Sequence, residues 1–121
     1  MSQETGEPST DLSIDVRAAG DGTVVVKPEG ALDFGHHQRL QDALVAEIEA
    51  GHPRIVIDAS GVSFWDSSAL GVLIHVHHQA KFQEGWLRVA RPSEQLRRSL
   101  EVTNLNKLLD CHPSVEAALA G

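Results

Sequence analysis

The chain has little cysteine, few aromatic side chains and no long apolar run. Its 121 residues include one cysteine, no tyrosine, two tryptophans and three phenylalanines. The lone cysteine, Cys111, excludes an internal disulfide and is typical of a reducing compartment, so we expect a cytoplasmic protein. No apolar run approaches the roughly 20 residues of a membrane-spanning helix, so no membrane span is expected. The polar segment over residues 1–10 predicts a disordered tail and not a secretory signal.

Basic residues and the motifs of common enzymes are also scarce. Ten lysine and arginine residues stand against seventeen aspartate and glutamate residues, which gives a net charge of −7. An acidic chain repels the phosphates of nucleic acids, so we expect no nucleic-acid partner. The sequence contains neither Gly-x-x-x-x-Gly-Lys-Ser/Thr nor Gly-x-Gly-x-x-Gly. These absences favour a binding module over an enzyme, and we expect neither a catalytic residue nor a cofactor.

Alternating apolar and polar residues predict a β-hairpin near the N-terminus. The alternation runs from Leu12 to Ala18, so one face of this strand should be buried. Gly20-Asp21-Gly22 can supply the positive φ values of a tight turn. The apolar segment 23–26 then predicts the returning strand, which residues 28–30 should close with a proline and a glycine.

Helical and strand patterns alternate along the rest of the chain. Helices are predicted between Gly35 and Gly51, from Asp66 to about Gln83, from Ser93 to Thr103 and over 115–120; strands are predicted over 55–57, 86–90 and 108–111, with a loop over 58–63. Strands separated by helices pair in parallel through right-handed crossovers. The sequence therefore predicts one α/β domain over residues 11–121, with a mixed, mostly parallel sheet that begins in an antiparallel hairpin.

The start of the second predicted helix carries the clearest candidate site. Asp66, Ser67 and Ser68 lie where this helix begins, and a helix start leaves its first N–H groups unpaired and partly positive. Asp66 is a typical N-cap, and serines commonly fill a first turn. A nucleophilic Ser67 is a second interpretation, although the surroundings do not read Gly-x-Ser-x-Gly. A phosphorylation site is the third, because a helix N-terminus accommodates an anion.

Other reactive or aromatic residues also carry structural and functional interpretations. Trp65 either fills the core or stands out as an interface anchor, and the sequence leaves both open. Cys111 lies in an apolar context and is expected to be a small buried side chain rather than a reactive thiol. Of His75, His77 and His78, only the first and last share a helix face, so no metal site is expected.

Several segments, in order along the chain, resemble the STAS-domain family. Residues 55–58 followed by 61–73, with Asp66-Ser67-Ser68 at their centre, look like the central motif of this family. Residues 30–33 resemble its Gly-x-Leu-Asp segment, and residues 100–105 resemble its Leu-x-x-x-Gly-Leu segment. The resemblance covers roughly residues 12–120. Within the family, the chain is similar specifically to bacterial anti-sigma factor antagonists.

This resemblance implies a fold and a switch. The fold has four helices, mainly on one face of the sheet. An unmodified antagonist binds an anti-sigma factor that is also a serine kinase, and so frees a sigma factor for transcription. The kinase holds ATP and Mg²⁺ in its own site and phosphorylates the serine after the motif aspartate, here Ser67. The phosphorylated antagonist then loses affinity for the anti-sigma factor, until a PP2C-type phosphatase removes the phosphate. The implied partner-binding residues are Asp33, Phe34, Trp65, Asp66, Ser67, Ser68, Ala69 and Leu70.

Two departures from the family pattern and two alternative functions accompany this interpretation. Ala69 and Asn104 stand where the family commonly has glycine; alanine suits a helix, and asparagine can adopt the left-handed conformation. The first alternative is a STAS accessory subunit of a transporter, a lipid-trafficking complex or a stress-signalling assembly. The second is a small serine hydrolase that pairs Ser67 with His36 or His37.

Overall fold

Six strands, four α-helices and two short 3₁₀ helices, Ala59–Gly61 and Leu105–Lys107, make up the part of the chain that the structure describes. The computed structural model describes residues 12–33 and 35–121, so the tail predicted over residues 1–10 lies outside the described residues. In chain order the strands and α-helices are β1 Ser13–Gly20, β2 Thr23–Leu32, α1 His37–Glu49, β3 Arg54–Asp58, β4 Val62–Trp65, α2 Ser67–Phe82, β5 Trp86–Ala90, α3 Glu94–Val102, β6 Asp110–His112 and α4 Val115–Ala120.

The sheet is organised around β2. β1 pairs with this strand antiparallel, with Val16 opposite Val26. The first half of β2 pairs in parallel with β3, whereas Gly30–Leu32 pairs in parallel with β4. β5 and β6 continue the parallel sheet beyond β3, which gives the strand order β1-β2-β3-β5-β6. The predicted mixed, mostly parallel sheet with an antiparallel hairpin is confirmed.

Three helices pack on one face of the sheet and the fourth packs on the other. Neighbouring residues of a strand point to opposite faces, so Ile55 and Ile57 of β3 join one buried cluster while Val56 joins another. The larger cluster includes the buried apolar side chains of α1, α2 and α3. The smaller one takes Val115 and Ala118 of α4. The prediction that the four helices lie mainly on one face is confirmed. No helix among the described residues has both the length and the apolarity to cross a membrane.

The prediction that β2 ends at Pro28–Gly30 is wrong, and so is the loop predicted over residues 58–63. β2 continues to Leu32 and there gains a new parallel partner, the short strand β4. Pro28 is tolerated because the pairing with β3 ends at Val26 and the pairing with β4 starts at Gly30. On that side of β2 Pro28 therefore interrupts no ladder, while on the other side it lies opposite Ile14 of β1.

Burial along β1 and β6 also differs from the prediction. The apolar face expected for β1 is exposed from Val16 onward, where this side chain is 40% accessible, because β1 is an edge strand that the helices do not cover at this end. β6 begins two residues later than predicted, with Leu109 in the core just before it. Cys111, expected to be buried, is exposed.

Asp58 is the charged residue that the core encloses at the end of β3. The side chain of Arg91 donates to its carboxylate at 2.6 Å, and the backbone N–H and hydroxyl of Ser60 donate at 3.1 and 2.8 Å. Burial on its own would raise the pKa of Asp58, but these hydrogen bonds and the charge of Arg91 hold the pKa below its ordinary value. Arg91 adopts a left-handed backbone conformation, with φ 53°, at the position from which it reaches the carboxylate.

We expect this carboxylate to make the folded protein acid-sensitive. Because the pKa of Asp58 is lower in the folded than in the unfolded chain, its stabilising contribution is present above the unfolded pKa of about 3.9 and is lost as the pH falls through the folded value. Asp58→Asn should therefore lower the urea midpoint of unfolding at pH 7. In this variant the midpoint should also fall less steeply as the pH is lowered below about pH 4. Urea titrations of the unsubstituted chain and of Asp58→Asn from pH 7 to pH 2.5 test this. The prediction is contradicted if the urea midpoints of the two proteins fall in parallel with pH.

Candidate functional site

The first turn of α2 is capped by the aspartate that precedes it. The Oδ1 atom of Asp66 accepts a hydrogen bond of 2.9 Å from the N–H of Ala69, and its backbone is extended, as an N-cap requires. The N–H of Asp66 donates to the carbonyl of Leu32 at the end of β2, at 3.0 Å. The predicted N-cap is confirmed, and it is tied to the sheet by a backbone hydrogen bond.

The two serines of this turn differ in accessibility. Ser67 is exposed, whereas Ser68 is half-buried. Within the described residues, no hydrogen bond engages the hydroxyl of Ser67, so none joins it to His36 or His37. Ser67 is therefore the more accessible hydroxyl, beside the unpaired N–H groups of a helix start.

The loop after β2 lies next to this turn. β2 and β4 are parallel neighbours with Leu32 opposite Trp65, so Asp33 and Asp66 leave the sheet at the same end. Asp33 is exposed, and its Oδ1 atom lies 3.1 Å from the Nδ1 atom of His36. Phe34, predicted to bind a partner, lies outside the described residues. Ligand sites of parallel sheets commonly lie at such carboxyl ends of neighbouring strands.

An apolar groove extends from Ser67 towards α3, and we call it the α2–α3 groove. It encloses about 460 Å³ and is lined by Phe64, Trp65, Asp66, Ser67, Leu70, Arg98, Ser99, Val102 and Thr103. Phe64 is 45% exposed and Val102 is 80% exposed, although both are large apolar side chains. Exposed apolar side chains that share a groove commonly mark a protein-interaction surface.

Three of the predicted partner-binding residues are buried. Trp65 is 1% exposed, Ala69 is fully buried and Leu70 is 8% exposed. The structure thus places Trp65 in the core, which is one of the two alternatives that the sequence left open, and places Phe64 on the surface in its stead. A β-bulge explains this arrangement: Gly30 pairs with Val62 but the next residue, Ala31, pairs with Phe64, so Ser63 is extra and the following side chains change face.

Gln95 of α3 is a residue of this site that the sequence did not indicate. Its Oε1 atom accepts from the N–H of Trp65 at 3.1 Å, and its Nε2 atom donates to the carbonyl of Trp65 at 2.9 Å. Both backbone groups of the residue before the N-cap are therefore held by one side chain. Such a role has no local sequence signal, because donor and acceptor are 30 positions apart.

The histidines form no metal site in the part of the chain that the structure describes. No group of three or more His, Cys, Asp or Glu residues is placed there to hold a metal ion. His77 packs edge-on against His78, with ring centroids 5.3 Å apart. Burial lowers the pKa of His77, and the neighbouring His78 and Lys81 lower it further. The neutral ring is therefore favoured at this position.

The geometry defines a small α/β domain in which an exposed helix start and an apolar groove lie side by side. The family description "STAS domain" matches residues 14–118, and the chain belongs to the STAS-domain family. The anti-sigma-B factor antagonist of Bacillus subtilis is 28% identical over 108 residues, which are 89% of this chain and 97% of that protein.

Solved structures agree with this assignment. An anti-sigma factor antagonist from Mycobacterium paratuberculosis has a TM-score of 0.81 at 27% identity, with 94% of this chain and 95% of that chain covered. The anti-sigma factor antagonist SpoIIAA in its unphosphorylated form has a TM-score of 0.77 at 20% identity, covering 88% and 93% of the two chains. The chain thus has the STAS fold of proteins named anti-sigma factor antagonists.

Proposed function

We propose that this protein is an anti-sigma factor antagonist controlled by phosphorylation of Ser67. Its unmodified form binds an anti-sigma factor that is also a serine kinase, and so frees a sigma factor. The observation that carries the proposal is the position of Ser67: an exposed hydroxyl directly after the N-cap Asp66, at the rim of the α2–α3 groove. The names of the relatives support the same function.

The proposed binding surface combines the two loops at the carboxyl ends of β2 and β4 with the groove beside them. Asp33, Phe34, Ser67 and Ser68 remain proposed partner-binding residues. Phe64 joins them as the exposed aromatic of the surface. Leu70 lines the groove, Trp65 and Ala69 support this surface from the core, and Asp66 caps the helix on which it is built.

The chemistry of the switch follows from charge. Phosphorylation adds about −1.5 to −2 charges, which the unpaired N–H groups of a helix start can accommodate. The cap carboxylate of Asp66 and the nearby loop carboxylate of Asp33 add to the negative charge at this end of the sheet. The N–H groups of the helix start let the folded domain carry the phosphate. The added negative charge disrupts the contact with a partner surface that is matched to a neutral serine. A PP2C-type phosphatase would restore the binding form.

Phosphate transfer to Ser67 is the direct test. Incubation of the full chain with an anti-sigma factor serine kinase and Mg²⁺-ATP should add one phosphate, which mass-spectrometric mapping should place on Ser67. Ser67→Ala should abolish the incorporation, while Ser68→Ala, the matched control in the same turn, should retain it because Ser68 is less accessible. Incorporation that survives Ser67→Ala and disappears in Ser68→Ala would contradict the assignment.

A further inference from the structure

The backbone at the start of α2 is held from two opposite sides. In a strand, successive residues direct their N–H and C=O groups to alternate sides. The N–H of Asp66 points to β2, where it donates to Leu32. The N–H and C=O of Trp65 point the other way, to the outer edge of β4, where the sheet provides no further strand among the described residues.

Gln95 takes the place of that missing strand. A carboxamide has the same donor and acceptor as a peptide group, and Gln95 uses both on Trp65, at 3.1 and 2.9 Å. The hydroxyl of Ser99, one helical turn further along α3, lies 3.3 Å from the Nε2 atom and helps to orient the amide. Among residues 12–33 and 35–121, this pair is the only hydrogen-bonded connection between α3 and the β4–α2 segment.

We propose that Gln95 is a positioning residue for Ser67. By fixing the residue before the N-cap, it sets the direction in which α2 begins and holds α3 beside it, so that the acceptor hydroxyl and the α2–α3 groove form one rigid surface. The part of this inference that concerns phosphorylation rests on the proposed function. The part that concerns the order of the first turn of α2 does not depend on it.

Amide hydrogen exchange of the full ¹⁵N-labelled chain tests the positioning role directly. Gln95→Met keeps the length of the side chain and removes both hydrogen bonds, and Gln83→Met makes the same change at an exposed site at the other end of α2. We expect the hydrogen-bonded amides of Trp65, Asp66, Ala69 and Leu70 to exchange about tenfold faster or more in Gln95→Met, since each neutral hydrogen bond contributes modestly to the closed state. Core amides of β3 and β5 should be unchanged and show that the domain is folded.

The extent of the change distinguishes positioning from a local contact. A contact without a positioning role would expose only the amide of Trp65. Unchanged exchange at Asp66, Ala69 and Leu70, whose N–H groups are hydrogen-bonded without Gln95, would overturn the proposal. Gln83→Met should leave all of these amides as in the unsubstituted chain.

The second measurement is the rate at which the kinase modifies each variant. With a kinase that phosphorylates the unsubstituted chain, Gln95→Met should lower kcat/KM about tenfold while Gln83→Met leaves it unchanged. If the exchange result is as expected but kcat/KM is not reduced, the inference that Gln95 affects phosphorylation is wrong, and the proposed function stands. If no kinase modifies the unsubstituted chain, the proposed function fails, and the exchange rates alone decide the role of Gln95.

Discussion

Phosphorylation of Ser67 should weaken binding to the anti-sigma factor about 100-fold or more, which corresponds to about 2.7 kcal/mol. The reason is desolvation. Ser67 lies at the rim of a largely apolar groove beside Phe64 and Val102, and a phosphate brought into a closed contact there would lose its water without gaining a matched partner. Within this chain the lining of the groove offers one cation, Arg98, against the carboxylate of Asp66.

Calorimetric titration of the two forms against the partner measures this loss. Ser67→Glu should weaken binding less than the phosphate does, because it adds one charge where phosphorylation adds up to two. Ser13→Glu adds the same charge at an exposed position of β1 and is the matched control for net charge alone. Ser67→Ala should retain affinity. Equal affinity of the unmodified and phosphorylated forms would refute the switch.

Features with a local cause could be predicted from the sequence. Asp66, Ser93 and Ser114 each cap a helix by accepting from an N–H three residues later, as is usual for these residue types. Asn104 adopts a left-handed conformation, with φ 68°, after α3. In these places the residue type, the spacing and the adjacent helix act within a few positions, so the pattern in the sequence is also the physical cause.

Features set by strand pairing could not be predicted in the same way. β4 has only four residues, and its bulge decides that Trp65 turns inward and Phe64 outward. A shift of one residue exchanges the two faces of a strand, and the sequence shows only two adjacent aromatics. Gln95 was missed for a related reason, because a glutamine near the start of a helix looks like a solvated side chain until the partner strand is known.

The local geometry of the candidate site could thus be predicted, but the surface around it could not. The helix start and its cap follow from residues 66–68 alone, whereas the choice of Ser67 as the acceptor comes from the resemblance to the family. Which aromatic meets a partner depends on the pairing of β4 with β2, which is a long-range property. A motif therefore predicts a local feature such as a helix cap more reliably than it predicts which neighbouring side chains lie on the surface.

Substitutions of the two neighbouring aromatics should therefore have opposite effects. Trp65→Ala should lower the free energy of unfolding by about 3–5 kcal/mol, because it removes a fully buried indole and leaves a cavity beneath α2. Phe64→Ala should change this free energy by no more than about 1 kcal/mol, because almost half of the ring is already in water. The same change should weaken partner binding about tenfold or more, as expected for an aromatic anchor of an interface.

Urea unfolding and partner titration of both variants separate the two roles. Trp65→Phe is a further check on the core, because it keeps an aromatic ring and removes the Nε1–H group, which is buried without a hydrogen-bond partner among the described residues. It should cost less than Trp65→Ala, since part of the lost packing is offset by removing an unpaired donor. If Phe64→Ala destabilised the fold as much as Trp65→Ala did, the bulge would not direct the two rings to opposite faces. If Phe64→Ala left partner affinity unchanged, the α2–α3 groove would not be part of the binding surface.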